Sequence, residues 1–184
     1  MKRVPRILIV CLVVLCPYLL NGQIVLSSIA TAEASSKNPD LTDQLEADLM
    51  VRLSEGDTAS YEAFVLFDIS SIDAELVTRA TLITPGGQHN PDGVTMADPY
   101  WIDMYGCNTT EWPDTFTWNT TREMHKGSLL ASENIQGFSY TYTFSGDSVT
   151  NWLKAKRSEG ATELAFRFHA RDIHPYDIWI AGTW

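Results

Sequence analysis

Tyr61-Glu62-Ala63-Phe64-Val65-Leu66-Phe67 is apolar on both of its alternations once past its first two residues. That is the pattern of a strand covered on both faces, not of a helix with one buried stripe. Asp68 and the Ser70-Ser71 pair then close the run as turn residues do. Outward from this stretch the rhythm repeats over Ala47 to Leu53, Arg79 to Thr84, Tyr100 to Gly106, Phe138 to Phe144, Thr162 to His169 and Tyr176 to Ala181, with Gly, Pro, Asn, Asp and Ser between. Phe138, Tyr140, Tyr142 and Phe144 alternate with Ser139, Thr141 and Thr143, which predicts one aromatic face and one wet face. Helical spacing occurs over Asp147 to Arg157, where Val149, Trp152, Leu153 and Lys156 share a side. The expected fold is all-β: an antiparallel, jelly-roll-like β-sandwich with one short helix over an open end.

The chain has 184 residues, 45% of them apolar and 11% aromatic, enough to fill the core of one ordinary domain. Thirteen basic residues face 23 acidic ones, a net charge of −10, which argues against nucleic acid or an anionic membrane surface as partner. Met1-Lys2-Arg3-Val4-Pro5-Arg6 ahead of the apolar run Ile7 to Leu20 has the layout of a secretory signal. The run is shorter than a membrane span needs and contains Pro17. Residues 1–22 are therefore expected to be an export signal, residues 23–45 an N-terminal segment or first strand, and residues 46–184 the sandwich. Cleavage after Gly22 and cleavage after Ala32 both fit small side chains, and a first strand over Ile29 to Ser36 favours Gly22. The destination is secreted or cell-surface. With Cys11 and Cys16 in the signal, Cys107 is expected as a lone buried thiol.

Three segments, in order, resemble one family. Glu62-Ala63-Phe64-Val65-Leu66-Phe67-Asp68-Ile69-Ser70-Ser71-Ile72 with Thr78-Arg79-Ala80-Thr81-Leu82 is similar to its "FDLSS…SATL" strand-turn-strand. Glu111-Trp112-Pro113-Asp114-Thr115-Phe116-Thr117-Trp118-Asn119 is similar to its "W-x-E-x-x-TWN" loop. Tyr142-Thr143-Phe144-Ser145-Gly146-Asp147-Ser148-Val149-Thr150-Asn151-Trp152, followed by Ala165-Phe166-Arg167-Phe168, resembles its strand-into-helix and next strand. The family is the DNRLRE-type carbohydrate-binding module, related to disaggregatase repeats of bacterial and archaeal surface proteins. The resemblance covers roughly residues 46–168 and implies a β-sandwich with a non-catalytic polysaccharide-binding or cell-envelope role. The hexapeptide that names the family does not occur, and the family's last strand would follow Trp184. A sandwich without that edge strand, or a gene fragment, belongs to the expectation.

Chemistry-bearing motifs are sparse. Gly146-Asp147-Ser148 with Asp172-Ile173-His174 has neither the order nor the spacing of a serine hydrolase. The four histidines, His89, His125, His169 and His174, lack zinc-ligand spacing. The long connection from Pro85 to Pro99 carries Asp92 and Asp98, which with loop carbonyls leave weak calcium binding open; no other cofactor is expected. Asp68, Asn119, Trp112 and Trp118 suit framework duty, as turn-capping polar groups and large plugs for a sandwich end. Asn108-Thr109-Thr110 and Asn119-Thr120-Thr121 are glycosylation sequons.

A sugar-binding face needs aromatic rings left outside the core, with polar groups beside them. If Ile102 and Met104 face the core, then Trp101, Asp103 and Tyr105 face away from it. By the same alternation Ile178 and Ile180 turn inward, leaving Asp177 and Trp179 outside. These five are the expected ligand contacts, without catalytic residues or a metal. The expected partner is a polysaccharide or cell-envelope glycan. A structural surface protein and a small polysaccharide-active enzyme are the alternatives.

Overall fold

A computed structural model describes residues 11–16, 22–40, 49–57, 59–89, 100–113, 115–121, 123–124, 127–135, 141–173 and 177–180. In chain order the strands are β1 (Cys11–Cys16), β2 (Gly22–Leu26), β3 (Ser28–Ser35), β4 (Leu49–Val51), β5 (Tyr61–Asp68), β6 (Arg79–His89), β7 (Tyr100–Cys107), β8 (Gly127–Ile135) and β9 (Thr141–Ser145). Helix α1 (Asp147–Ser158) follows, then β10 (Glu163–Ala170) and β11 (Asp177–Ile180). They form two antiparallel sheets. One has the order β2-β1-β6-β11-β4, with β9 also paired to β6; the other runs β3-β5-β10-β7-β8. The all-β sandwich with one short helix is thus the observed architecture.

The double alternation of β5 has its expected cause. It lies between β3 and β10, turns Ala63, Val65 and Phe67 into the space between the sheets, and turns Phe64 and Leu66 into a second apolar cluster on the far side. Between the sheets, Phe144 of β9 meets Phe168 of β10 edge-on at 5.2 Å, and Phe67 meets Phe166 at 5.8 Å. Each ring sealed this way contributes about 1.5–3 kcal/mol. Tyr142 and Phe144 are buried while Thr141 and Thr143 are exposed, as the alternation predicts; residues 138–140 lie outside the described residues.

Helix α1 packs on β6 and β9 of one sheet and β8 of the other, so it bridges them at one end. Gly146 precedes it at φ 133°, a conformation that favours glycine. Thr150 Oγ1 accepts from the Ala80 amide at 3.0 Å and ties the first turn to β6. At the other end the Arg157 guanidinium donates to the carbonyls of Ile72, Ala161 and Ser70 at 2.8, 2.9 and 3.1 Å, pinning the connection between β5 and β6. Trp152 reaches Phe166 at 5.2 Å and lies against Gly106, where any Cβ would collide with its ring.

Several boundaries differ from expectation. β6 continues through Pro85 to His89 instead of ending at Thr84. Its partner changes there: β9 pairs as far as Pro85 and β11 pairs from Gly86. A proline is tolerated at such a hand-over, and Gly86 is bare because the Tyr142 ring occupies the place of its side chain. Residues 90–99, with Asp92 and Asp98, lie outside the described residues. β8 has no regular alternation because its ladder to β7 carries a bulge at Leu130, which leaves Leu130 and Ala131 both on the core side. The run expected as the export signal contributes β1, paired with β2 and with Arg79 to Ile83 of β6. Cleavage after Gly22 would therefore remove a strand neighbour of β6. Cleavage after Ala32 would cut β3 as well, since β3 spans Ser28–Ser35 against β5.

Candidate functional site

The face of the five-stranded sheet turned away from the main core is divided in two. One half is apolar and covered. Ala32 and Ala34 of β3, Phe64 and Leu66 of β5, Ala165 of β10 and Cys107 of β7 sit beneath Phe116 and Met124 of the following loop. Phe116 stands edge-on to Phe64 at 5.0 Å, Trp112 lies 4.7 Å from Phe116, and Trp118 packs against the same cluster. Asn119 Nδ2 donates to Asp40 Oδ1 at 2.8 Å, joining this loop to the turn after β3. Asp68 Oδ1 accepts from the Ser70 amide at 2.8 Å; the Ser70 hydroxyl first, and this amide bond with it, hold the carboxyl below its ordinary range. The residues that carry the family resemblance here have framework contacts, as their chemistry suggests. Cys107 is buried and its thiol is pushed up to about 12, first by burial, so it behaves as a small apolar side chain.

The other half is polar and aromatic. On β7, Ile102 and Met104 enter the core, and Trp101, Asp103 and Tyr105 point to the opposite face, as expected. Trp101 and Tyr105 are half-buried and Asp103 is buried. The neighbouring strand supplies cations, because Arg167 pairs in register with Tyr105 and His169 with Asp103. The Arg167 guanidinium lies 4.4 Å from the Tyr105 ring centre, and its Nη1 donates to Glu62 Oε1 of β5 at 3.0 Å. His169 Nδ1 lies 2.8 Å from the same oxygen. Arg171, just past β10, sits 5.0 Å over the Trp101 ring and donates through Nε and Nη2 to the two oxygens of Asp103. Ser132 of β8, in register with Asp103, donates to Asp103 Oδ1 at 2.6 Å and accepts from Arg171 Nη2 at 2.7 Å.

The result is two stations of like make-up, each a ring, a guanidinium and a carboxylate: Trp101, Arg171 and Asp103, then Tyr105, Arg167 and Glu62. Each guanidinium is balanced by its carboxylate. What remains to a ligand is ring surface and hydrogen bonding, since a guanidinium has five N–H donors and these pairs use only some of them. Arg167 Nε is buried without a hydrogen-bond partner among the described residues.

Asp177 and Trp179 do not join this group. β11 belongs to the other sheet, where Trp179 is in register with Met50 and Gly87, so the five expected contacts fall on two sheets. The side chains of Asp177 and Trp179 lie outside the described residues. Alternation tells which face of a strand a residue takes, but not which sheet the strand joins. Conversely, sequence reading missed Glu62, Ser132, Arg167, His169 and Arg171. The available signal was Glu62, a carboxylate inside an otherwise apolar strand, which demands a cation across the ladder; finding that cation requires knowing that β10 is the neighbour.

Elsewhere, a cleft of about 600 Å³ opens beside Trp112, between Glu111, Glu123 and Thr109. Asn108 and Asn119 of the two sequons are both exposed. Ser148 lies in the first turn of α1, and His125 and His174 lie outside the described residues. Among the described residues no three metal-ligating side chains converge. No protein-family model matches the chain, and no curated protein matches it.

Proposed function

We propose that the protein is an exported, non-catalytic module that binds a polysaccharide or cell-envelope glycan, related to the DNRLRE-type carbohydrate-binding modules. The observation that carries this reading is the open half of the five-stranded sheet, where Trp101, Asp103 and Tyr105 stand outside the core among arginines, carboxylates and a serine hydroxyl. Half-buried aromatics present apolar area to the carbon faces of a sugar, and charged groups with spare donors and acceptors meet its hydroxyls. The site is electrically balanced while the chain carries −10, which suits a ligand recognised by hydrogen bonding more than by ion pairing. The resemblance of residues 46–168 and the export-signal layout point the same way.

One observation favours a structural surface protein instead: each arginine already satisfies a carboxylate, so the layer could serve only to lock β5, β10, β7 and β8 together. The contact of His169 with a buried carboxylate is what would favour a small polysaccharide-active enzyme. Titrating the purified protein against neutral and acidic polysaccharides, with a reducing-end assay alongside, separates the three. Saturable binding without new reducing ends is the expected result for a non-catalytic module. Absence of binding to every polymer supports the structural role, and new reducing ends that vanish in His169→Gln support the enzyme.

A further inference from the structure

The two stations lie on one strand, and their spacing carries information about the ligand. Trp101 and Tyr105 are four residues apart on the same face of β7, so their backbones are separated by about 13 Å at the rise of an extended strand. The irregularity in the ladder falls on β8, not β7, so β7 runs through this stretch without an inserted residue. Between the stations, on the same face, are Asp103 and its partner Ser132, an acceptor and a hydroxyl. Arg171 keeps donors in reserve: it spends Nε and Nη2 on Asp103 and Ser132 and its side chain is 42% exposed. Arg167 spends Nη1 on Glu62 and its Nε is buried out of a ligand's reach, so the second station presents chiefly the Tyr105 ring.

Resting on the glycan-binding reading, we infer that this face takes an internal stretch of an extended polysaccharide lying along β7, one sugar at each station and at least one between them. A single pyranose ring is much shorter than the distance between the stations. A monosaccharide or a chain end therefore engages one station, and only a chain of about three or more residues engages both. Joining two weak contacts through one ligand raises affinity by about 10²–10⁴-fold, provided the ligand spans the gap. Duplicated stations of like make-up suit a ligand that repeats, because each presents an aromatic ring backed by a guanidinium to successive units of a polymer.

The test is calorimetric titration of the full chain with cello-, xylo-, manno- and oligogalacturonate ladders of one to six residues, beside the parent polymers. In the ladder whose polymer binds, monomer and dimer are expected to bind weakly and alike, with affinity rising about 100-fold once the length spans both stations. Trp101→Ala should abolish that rise and leave the short-chain affinity in place, and Tyr105→Phe, which keeps the ring, should preserve it. Arg171→Lys, at the more exposed arginine, tests the first station by a milder change should Trp101→Ala fail to fold, and should at least halve the logarithmic rise. A monomer or dimer that binds as tightly as the hexamer overturns the inference while leaving glycan binding intact. So does polymer binding with no length-dependent gain, whereas no binding by any polymer overturns the underlying reading and this inference with it.

Discussion

Glu62→Ala is the perturbation whose outcome the geometry predicts most closely. Glu62 is 3% exposed and Arg167 is 11% exposed, and the 3.0 Å bond between them is the only ion pair of Arg167 among the described residues. Truncation leaves a guanidinium largely out of water with no counter-charge, and breaking such a pair costs about 3–5 kcal/mol. The Tyr105 ring, 4.4 Å away, still attracts the cation and returns about 1 kcal/mol. The net expectation is a loss of about 2–4 kcal/mol. At about 2–4 °C per kcal/mol for a chain of this size, Tm should fall by about 4–16 °C. Urea unfolding at neutral pH measures this, read as a lower midpoint with an unchanged slope. Glu62→Gln keeps an acceptor for Nη1 and should cost about half as much. The double variant Glu62→Leu with Arg167→Met removes both charges together and should recover most of the loss. If Glu62→Ala unfolds within about 0.5 kcal/mol of the parent, water already solvates Arg167 and the description of a desolvated, neutralised station is wrong.

Phe116→Ala should cost about 3–5 kcal/mol by urea unfolding, because Phe116 is fully buried against Phe64 and Trp112 and its removal empties the covered half of the sheet face; a loss under about 1 kcal/mol would mean the loop is not packed there. Cys107 should resist iodoacetamide at about pH 8 in the folded protein and react at an ordinary rate once unfolded in urea, since burial holds its thiol near 12. Rapid labelling of the native state would contradict that burial. Because Asp68 has a carboxyl held below its ordinary value by Ser70, its contribution to stability is present above the unfolded carboxylate range and is lost as pH falls through the lowered value. Asp68→Asn should therefore narrow the stability difference between neutral and strongly acid pH, and an unchanged pH profile would show that the turn does not depend on the charge.

The strands whose side chains fill the core were legible because burial writes a period into sequence. Tyr61 to Phe67 reads as covered on both faces because Ala63, Val65 and Phe67 meet one cluster while Phe64 and Leu66 meet another. The helix was legible from Val149, Trp152 and Leu153, and it spans Asp147–Ser158. β8 was not legible because a bulge at Leu130 shifts the phase of its alternation, so that Leu130 and Ala131 both face the core, and most of its other positions are small or polar. The strand over Cys11–Cys16 was hidden for another reason: a short apolar run serves equally well as an export signal and as a strand, and local sequence cannot separate the two. At the candidate site, alternation along β7 sufficed for Trp101, Asp103 and Tyr105. The arginines above them, Arg167 of β10 and Arg171 just past its end, come much later in the chain, through a neighbourhood that only the pairing of strands supplies. The same lack of pairing information put Asp177 and Trp179 with them, although β11 pairs in the other sheet.

If a glycan is held on the open half of the β3-β5-β10-β7-β8 sheet, backbone amide chemical-shift mapping of the isotopically labelled protein during titration with a binding polysaccharide will show it. Perturbations are expected to concentrate at Trp101, Asp103 and Tyr105, at Ser132, and at Arg167, His169 and Arg171. Perturbations concentrated instead beside Trp112 and Glu123, or on β6 and β11, with these residues unmoved, would contradict that placement.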